Sequence, residues 1–173
     1  GAWVWTRRDA VGAGTERLKR NFFVRGFFEG RGSYDLDAIS PDEYRKGALE
    51  SGNRRAVRIW IRHDVLFANS DGQERLTPEG ASRLESAMSE LLKLPPDSPI
   101  VVEGFAADGG YEDRIIASTR RAELARAHLV SRFGLTPSRV GAVGLGAFAP
   151  DSPAQGSWDG VAIAIFLRIA DGL

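Results

Sequence analysis

The clearest rhythm in the chain lies in its second and larger part. Val57, Ile59 and Ile61 alternate with Arg58, Trp60 and Arg62, which predicts a half-buried strand running on towards Phe67. Asn69–Gly72 (NSDG) supplies turn chemistry. Thr77 and Pro78 then fit the cap and first turn of a helix that places Leu84, Met88, Leu91 and Leu92 on one face. Pro95 and Pro96 close it. Ile100–Phe105 (IVVEGF) is a short apolar run between prolines and glycines, so a buried strand.

A second helix is expected from about Glu112 or Ser118 to Phe133. Ala122, Ala125, Leu129 and Phe133 recur at helical spacing, and Gly134 stands where a helix stops. Arg139–Leu145 and Val161–Ile169 read as two further strands. The order is strand, helix, strand, helix, strand, strand, which predicts an α+β fold with a small mixed sheet.

The first third is different. Arg17–Phe28 (RLKRNFFVRGFF) clusters basic and aromatic residues, a Gly-rich stretch comes next, and Ser40-Pro41 opens a short helix to about Leu49. Through Ala56 there are 11 Lys and Arg against 8 Asp and Glu; from Val57 the balance is 12 against 15. The division expected is an N-terminal extension, residues 1–56, and a domain, residues 57–173. The extension either packs on the domain or, with Trp3 and Trp5 ahead of Arg7 and Arg8, leads from a membrane interface. The chain opens with Gly1-Ala2, so a fragment is expected, with any signal peptide or anchor upstream.

Composition removes several kinds of chemistry. The 173 residues carry 23 basic and 23 acidic side chains, a balance that argues against nucleic acid as a partner. No apolar run approaches the ~18 residues of a membrane span. The chain has no cysteine and two histidines, His63 and His128, neither with partners at metal-ligand spacing. Gly141, Gly144 and Gly146 mimic a dinucleotide fingerprint but lead into a Pro- and Ser-rich loop instead of a helix. No cofactor or metal is expected, and no triad or carboxylate pair stands out for catalysis.

Four landmarks in register then resemble the OmpA-like domain family. Val102-Glu103-Gly104-Phe105-Ala106-Ala107-Asp108 is similar to the family's strand ending VEGHxD. Ala117 to Leu129, with Arg121-Ala122, resembles its helix LSxxRAxxVxxxL. Gly134-Leu135, Arg139-Val140, Gly144, Gly146 and Pro150 are similar to its G(I/L)xxxRIxxxGxG…P passage. Upstream, Leu66-Phe67, Leu76, Gly80 and Leu84 match its first strand and helix. The resemblance runs from about Val57 to Arg168 and implies a two-layer βαβαββ sandwich.

The resemblance also implies a function. Members hold the diaminopimelate of a peptidoglycan stem peptide, using an anion for its ammonium and an arginine for its carboxylate. Arg121 matches that arginine. Phe105 replaces the His, Ala107 stands where the Asp belongs, Asp108 lies one residue later in a shortened loop, and Arg114 occupies the position of an Asn. The family's closing NRRVE maps onto Trp158-Asp159-Gly160-Val161-Ala162, losing both arginines. The expected ligand set is therefore Arg121, Asp108, Arg114 and Phe105, in a divergent site. The resemblance thus implies a non-enzymatic, peptidoglycan-associated module in the periplasm of a Gram-negative bacterium, tethered through a missing anchor. The alternative is an envelope protein–protein or self-assembly module, a homodimer for example, with Phe105, Trp158 and the N-terminal aromatics forming an exposed patch.

Overall fold

The computed structural model describes Leu36, residues 39–50 and residues 53–169. The expectations for Trp3, Trp5 and Arg17–Phe28 lie outside the described residues. Four strands form the main sheet, β1 (Arg54–Arg62), β4 (Ile100–Phe105), β5 (Val140–Gly144) and β8 (Gly160–Arg168), and β6 (Phe148–Ala149) pairs separately with β7 (Gly156–Ser157). Their order is β1-β8-β4-β5. β8 lies antiparallel to both β1 and β4, whereas β4 and β5 are parallel, with Ile100 opposite Val140 and Gly104 opposite Gly144. The sheet is thus mixed, as the strand–helix order predicts.

β1 does not run on to Phe67. Its last partnership is Arg62 with Gly160, where β8 begins, and a single further bond from the His63 amide to the Asp159 carbonyl at 2.9 Å ends the contact. The chain instead makes one helical turn, α2 (His63–Leu66), and a separate hairpin of β2 (Phe67–Ser70) and β3 (Gln73–Leu76). Asp71 (φ 53°) and Gly72 (φ 78°) form its two-residue turn, the left-handed pair that matches strand twist.

The first long helix, α3 (Pro78–Leu91), starts where Thr77 accepts a hydrogen bond from the Gly80 amide at 2.8 Å. It buries Leu84, Ala87, Met88 and Leu91, but Leu92 caps its end and is exposed. The second, α4 (Tyr111–Phe133), ends at Gly134 in the left-handed conformation. Both helices pack on one face of the sheet, over Ile100, Val102, Ile163 and Ile165.

Two glycines let α4 settle directly onto the strands. A Cβ on Gly104 would lie 1.9 Å from the Ser118 carbonyl oxygen, and one on Gly144 would lie 2.1 Å from Thr119 Oγ1. Larger residues would lift the helix. This close seat lets Ser118 Oγ receive the Gly146 amide at 3.0 Å and brings Arg121 to the end of β4.

The opposite face is covered by the chain preceding β1. The helix expected from Pro41 to Leu49 is broken: α1 (Pro41–Arg45) ends before Gly47 (φ 79°), and a 3₁₀ turn, Ala48–Glu50, comes after it. Ser40 begins α1 with extended backbone but no side-chain cap bond. Leu36, Ile39, Tyr44 and Leu49 bury against Val101, Phe105, Val143 and Phe166. The alternation of β4 serves both faces, with Ile100, Val102 and Gly104 towards the helices and Val101, Glu103 and Phe105 towards this covering.

Candidate functional site

Arg121 sits on the sheet-facing side of α4, and its side chain is only 9% exposed. Nε donates to Glu74 Oε1 at 3.1 Å and Nη2 to Glu74 Oε2 at 2.9 Å, a bidentate pair. Nη1 donates to Asp159 Oδ1 at 2.6 Å and to the Phe105 carbonyl oxygen at 2.8 Å. Four of the five guanidinium N–H groups thus have internal acceptors. Burial would lower the Arg121 pKa, but the hydrogen bonds to Glu74 and Asp159 outweigh it and hold the pKa above its ordinary value.

The acceptors are themselves positioned. Glu74 is carried by β3, and its Oε2 meets His63 Nε2 at 2.6 Å. Asp159 lies just before β8. Its Oδ1 also accepts the Ala107 amide at 3.1 Å, and its carbonyl accepts the His63 amide at 2.9 Å. Hairpin, helix, β4 exit and β8 entry therefore meet at one guanidinium.

The four residues expected at the site do not form one constellation. Arg121 is its hub. Phe105 contributes its carbonyl oxygen only; its ring is buried on the other face, 5.6 Å from Trp60. Asp108 is exposed in the loop before α4, and the carboxylates on Arg121 are Glu74 and Asp159. Arg114 Nη1 folds back onto the Gly109 carbonyl at 2.7 Å. The exposed aromatic patch is corrected as well, since Phe105 is 2% exposed and Trp158 packs edge-on against Trp60 at 5.4 Å.

Sequence reasoning missed Glu74, Asp159 and His63. A usable signal was present for one of them. Ala107 lacks the expected carboxylate, while Asp159 has one where the resemblance expects an arginine. Two departures of opposite sense in segments that meet are a sign of exchange.

On the covered face a second polar group centres on an internal carboxylate. Glu103 is 0% exposed. It accepts Arg58 Nε at 2.8 Å and Arg58 Nη2 at 3.0 Å, and it accepts the Tyr44 hydroxyl. Asp151, at the protein surface, lies 3.6 Å from Arg58 Nη1. Burial first, then the Glu103 charge, pushes the Tyr44 phenol well above its ordinary value, with Arg58 opposing. Glu103 is thus a satisfied structural carboxylate.

The OmpA family model matches residues 69–158, just over half of the chain. The chain belongs to the OmpA family. Among solved structures, a putative MotB like protein from Desulfovibrio vulgaris is similar at 19% identity, covering 89% of this chain and 92% of that one, with a TM-score of 0.49. The periplasmic domain of Helicobacter pylori MotB is 18% identical over 68% of this chain and 84% of that one, TM-score 0.47. The cell wall anchor of the T6SS from Pseudomonas aeruginosa is 20% identical over 68% and 84%, TM-score 0.46. No curated protein matches the chain. Among the described residues, no group of acidic, His or Cys side chains could hold a metal, and no helix is long and apolar enough to cross a membrane.

Proposed function

We propose that this OmpA-family chain is a non-enzymatic, peptidoglycan-associated module of the bacterial cell envelope, working in the periplasm through residues 57–173. The observation that carries the reading is the position of Arg121. The family match spans both the β4 exit and the helix that bears this residue, and the fold seats its guanidinium where those two segments meet. Residues 1–56 form an extension that connects the module to an anchor; its Ile39–Leu49 part packs on the sheet. Asp108 and Arg114 stand on the β4–α4 loop at the rim of the site.

Retention of the purified chain on isolated sacculi tests this, with Arg121→Ala as comparison. Retention of the wild type and its loss in the variant are expected. A wild-type chain that stays in the supernatant overturns the reading.

One feature favours a protein–protein reading. Tyr111 (72% exposed) and Phe148 (60% exposed) flank a groove that Arg45 and Arg114 also line. An exposed aromatic pair beside guanidinium groups suits a protein partner or a second copy. Sedimentation across a concentration series distinguishes the self-association form: a mass independent of concentration counts against it.

A further inference from the structure

We propose that the free edge of β5 is a docking strand for an extended, acidic peptide segment of a partner protein. The proposal rests on the protein–protein reading of the Tyr111–Phe148 groove and is independent of the peptidoglycan reading.

β5 ends the main sheet, with β4 on one side and no strand on the other among the described residues. Hydrogen bonds fix which of its residues look outward. The Leu145 amide donates to the Gly104 carbonyl at 3.0 Å, in the parallel register that sets Gly104 opposite Gly144. Leu145 and Val143 therefore turn their main-chain groups to β4, and the alternate residues Val140, Ala142 and Gly144 turn theirs to the free edge. The first of these is already closed: Arg126 Nε reaches over from α4 and donates to the Val140 carbonyl at 2.5 Å. The last is open. Gly144 lies at the foot of a groove of about 440 Å³, and on that side its N–H and C=O meet no partner among the described residues. An unpaired strand edge under a groove is what an added strand uses. Main-chain bonds hold its backbone, and the flanking side chains read its residues.

The walls set the class of peptide. Tyr111 and Phe148 are 72% and 60% exposed, and two guanidinium groups stand with a single carboxylate, Asp42. Arg45 Nη2 donates to the carbonyls of Leu145 and Phe148, which holds the loop after β5. Arg114 Nη1 donates to the Gly109 carbonyl at 2.7 Å. Nε and Nη1 of Arg45, and Nε and Nη2 of Arg114, meet no acceptor among the described residues. The groove thus has cationic donors to spare and favours acidic side chains over basic ones. On an extended chain such side chains share one side at every second residue. The chain's own Arg17–Phe28 stretch carries four cations and no acid, so charge disfavours it as the occupant.

Two blocked pentapeptides, acetyl-Glu-Val-Glu-Val-Glu-amide and its Lys-for-Glu counterpart, test the class. Amide signals of the whole chain in nuclear magnetic resonance report where they bind. The acidic peptide should shift Gly144 and Tyr111 with a dissociation constant of about 1 mM or below. The basic peptide should bind about fivefold more weakly or worse, and Arg114→Glu should reverse that order. Two further acidic peptides carry N-methyl groups, one on its Glu amides and the other on its Val amides. Only the one whose blocked amides face Gly144 should lose affinity, by about five- to tenfold. Equal behaviour of the two methylated peptides overturns strand addition, and equal affinity of the acidic and basic peptides overturns the acidic preference. No shift at Gly144 at about 5 mM peptide, or shifts confined to the surroundings of Arg121, ends the proposal. Self-association that the acidic peptide does not displace assigns the groove to a second copy; it ends this proposal and leaves the protein–protein reading standing. A silent Gly144 together with a mass independent of concentration removes both.

Discussion

The two faces of the sheet each bury an arginine against carboxylate, and they do so to different ends. On the covered face Arg58 makes its hydrogen bonds to Glu103, which is 0% exposed and also accepts the Tyr44 hydroxyl, while the exposed Asp151 stands 3.6 Å from the remaining Nη1. On the helical face Arg121 is shared between two carboxylates, one of them 40% exposed. In the first group the hydrogen bonds all go to one internal carboxylate, and the second carboxylate is only a longer-range neighbour. In the second, both carboxylates hydrogen-bond the guanidinium directly, and His63 and the Ala107 amide extend the group to two further segments. Burial of an ion pair by itself therefore says little about function. What differs is reach: the Arg58 bonds converge on one internal carboxylate, whereas the Arg121 bonds tie together the hairpin, the β4 exit and the entry to β8.

Breaking the closed pair should have the largest effect. Arg58→Ala strands the Glu103 charge in the interior and should cost about 3–5 kcal/mol in denaturant unfolding. A variant replacing Arg58, Glu103 and Tyr44 together with apolar residues of similar size should recover most of that loss. Retention on sacculi should survive in that triple variant. If it vanishes while the fold is intact, the two faces are not separable.

Next in size is Glu74→Gln, which removes the charge from one edge of Arg121. A drop of about 1.5–3 kcal/mol is expected, the range for hydrogen bonds to charged groups.

Tyr44→Phe should cost about 1–1.5 kcal/mol, because Glu103 keeps Arg58. Its more telling signature is in pH. The folded protein holds the phenol proton well above 10.0, with burial as the main cause, while the unfolded chain releases it near that value. Stability from this group is therefore complete below about pH 10 and falls as pH rises beyond it. Unfolding free energies measured between about pH 9 and 11 should decline less steeply in Tyr44→Phe. The smallest effect belongs to Asp108→Asn, an exposed loop change expected within about 0.5 kcal/mol of the wild type.

Local patterns make most of the framework legible. The alternation in β1, the Thr77-Pro78 start of α3, the Gly134 stop of α4 and the apolar run of β4 each depend on residues adjacent in sequence. The hairpin between β1 and α3 is half legible. NSDG marks its turn, but the end of β1 is set by Gly160, far along the chain. The site is legible only at Arg121, because a family helix carries it. Glu74 and Asp159 reach the guanidinium from segments 47 and 38 residues away, and no periodicity records such a meeting. The same holds for Tyr44 and Glu103, 59 residues apart.

Phe105 gives the molecule a built-in optical gauge. Its carbonyl oxygen is bonded to Arg121 on one face while its ring lies against Trp60 on the other. Trp60 in turn meets Trp158, the residue beside Asp159. Any occupant that shifts the Arg121–Asp159 pair displaces atoms covalently or sterically joined to two indoles. Their emission should register binding in the unlabelled protein, so a titration needs no added dye and no immobilised wall fragment.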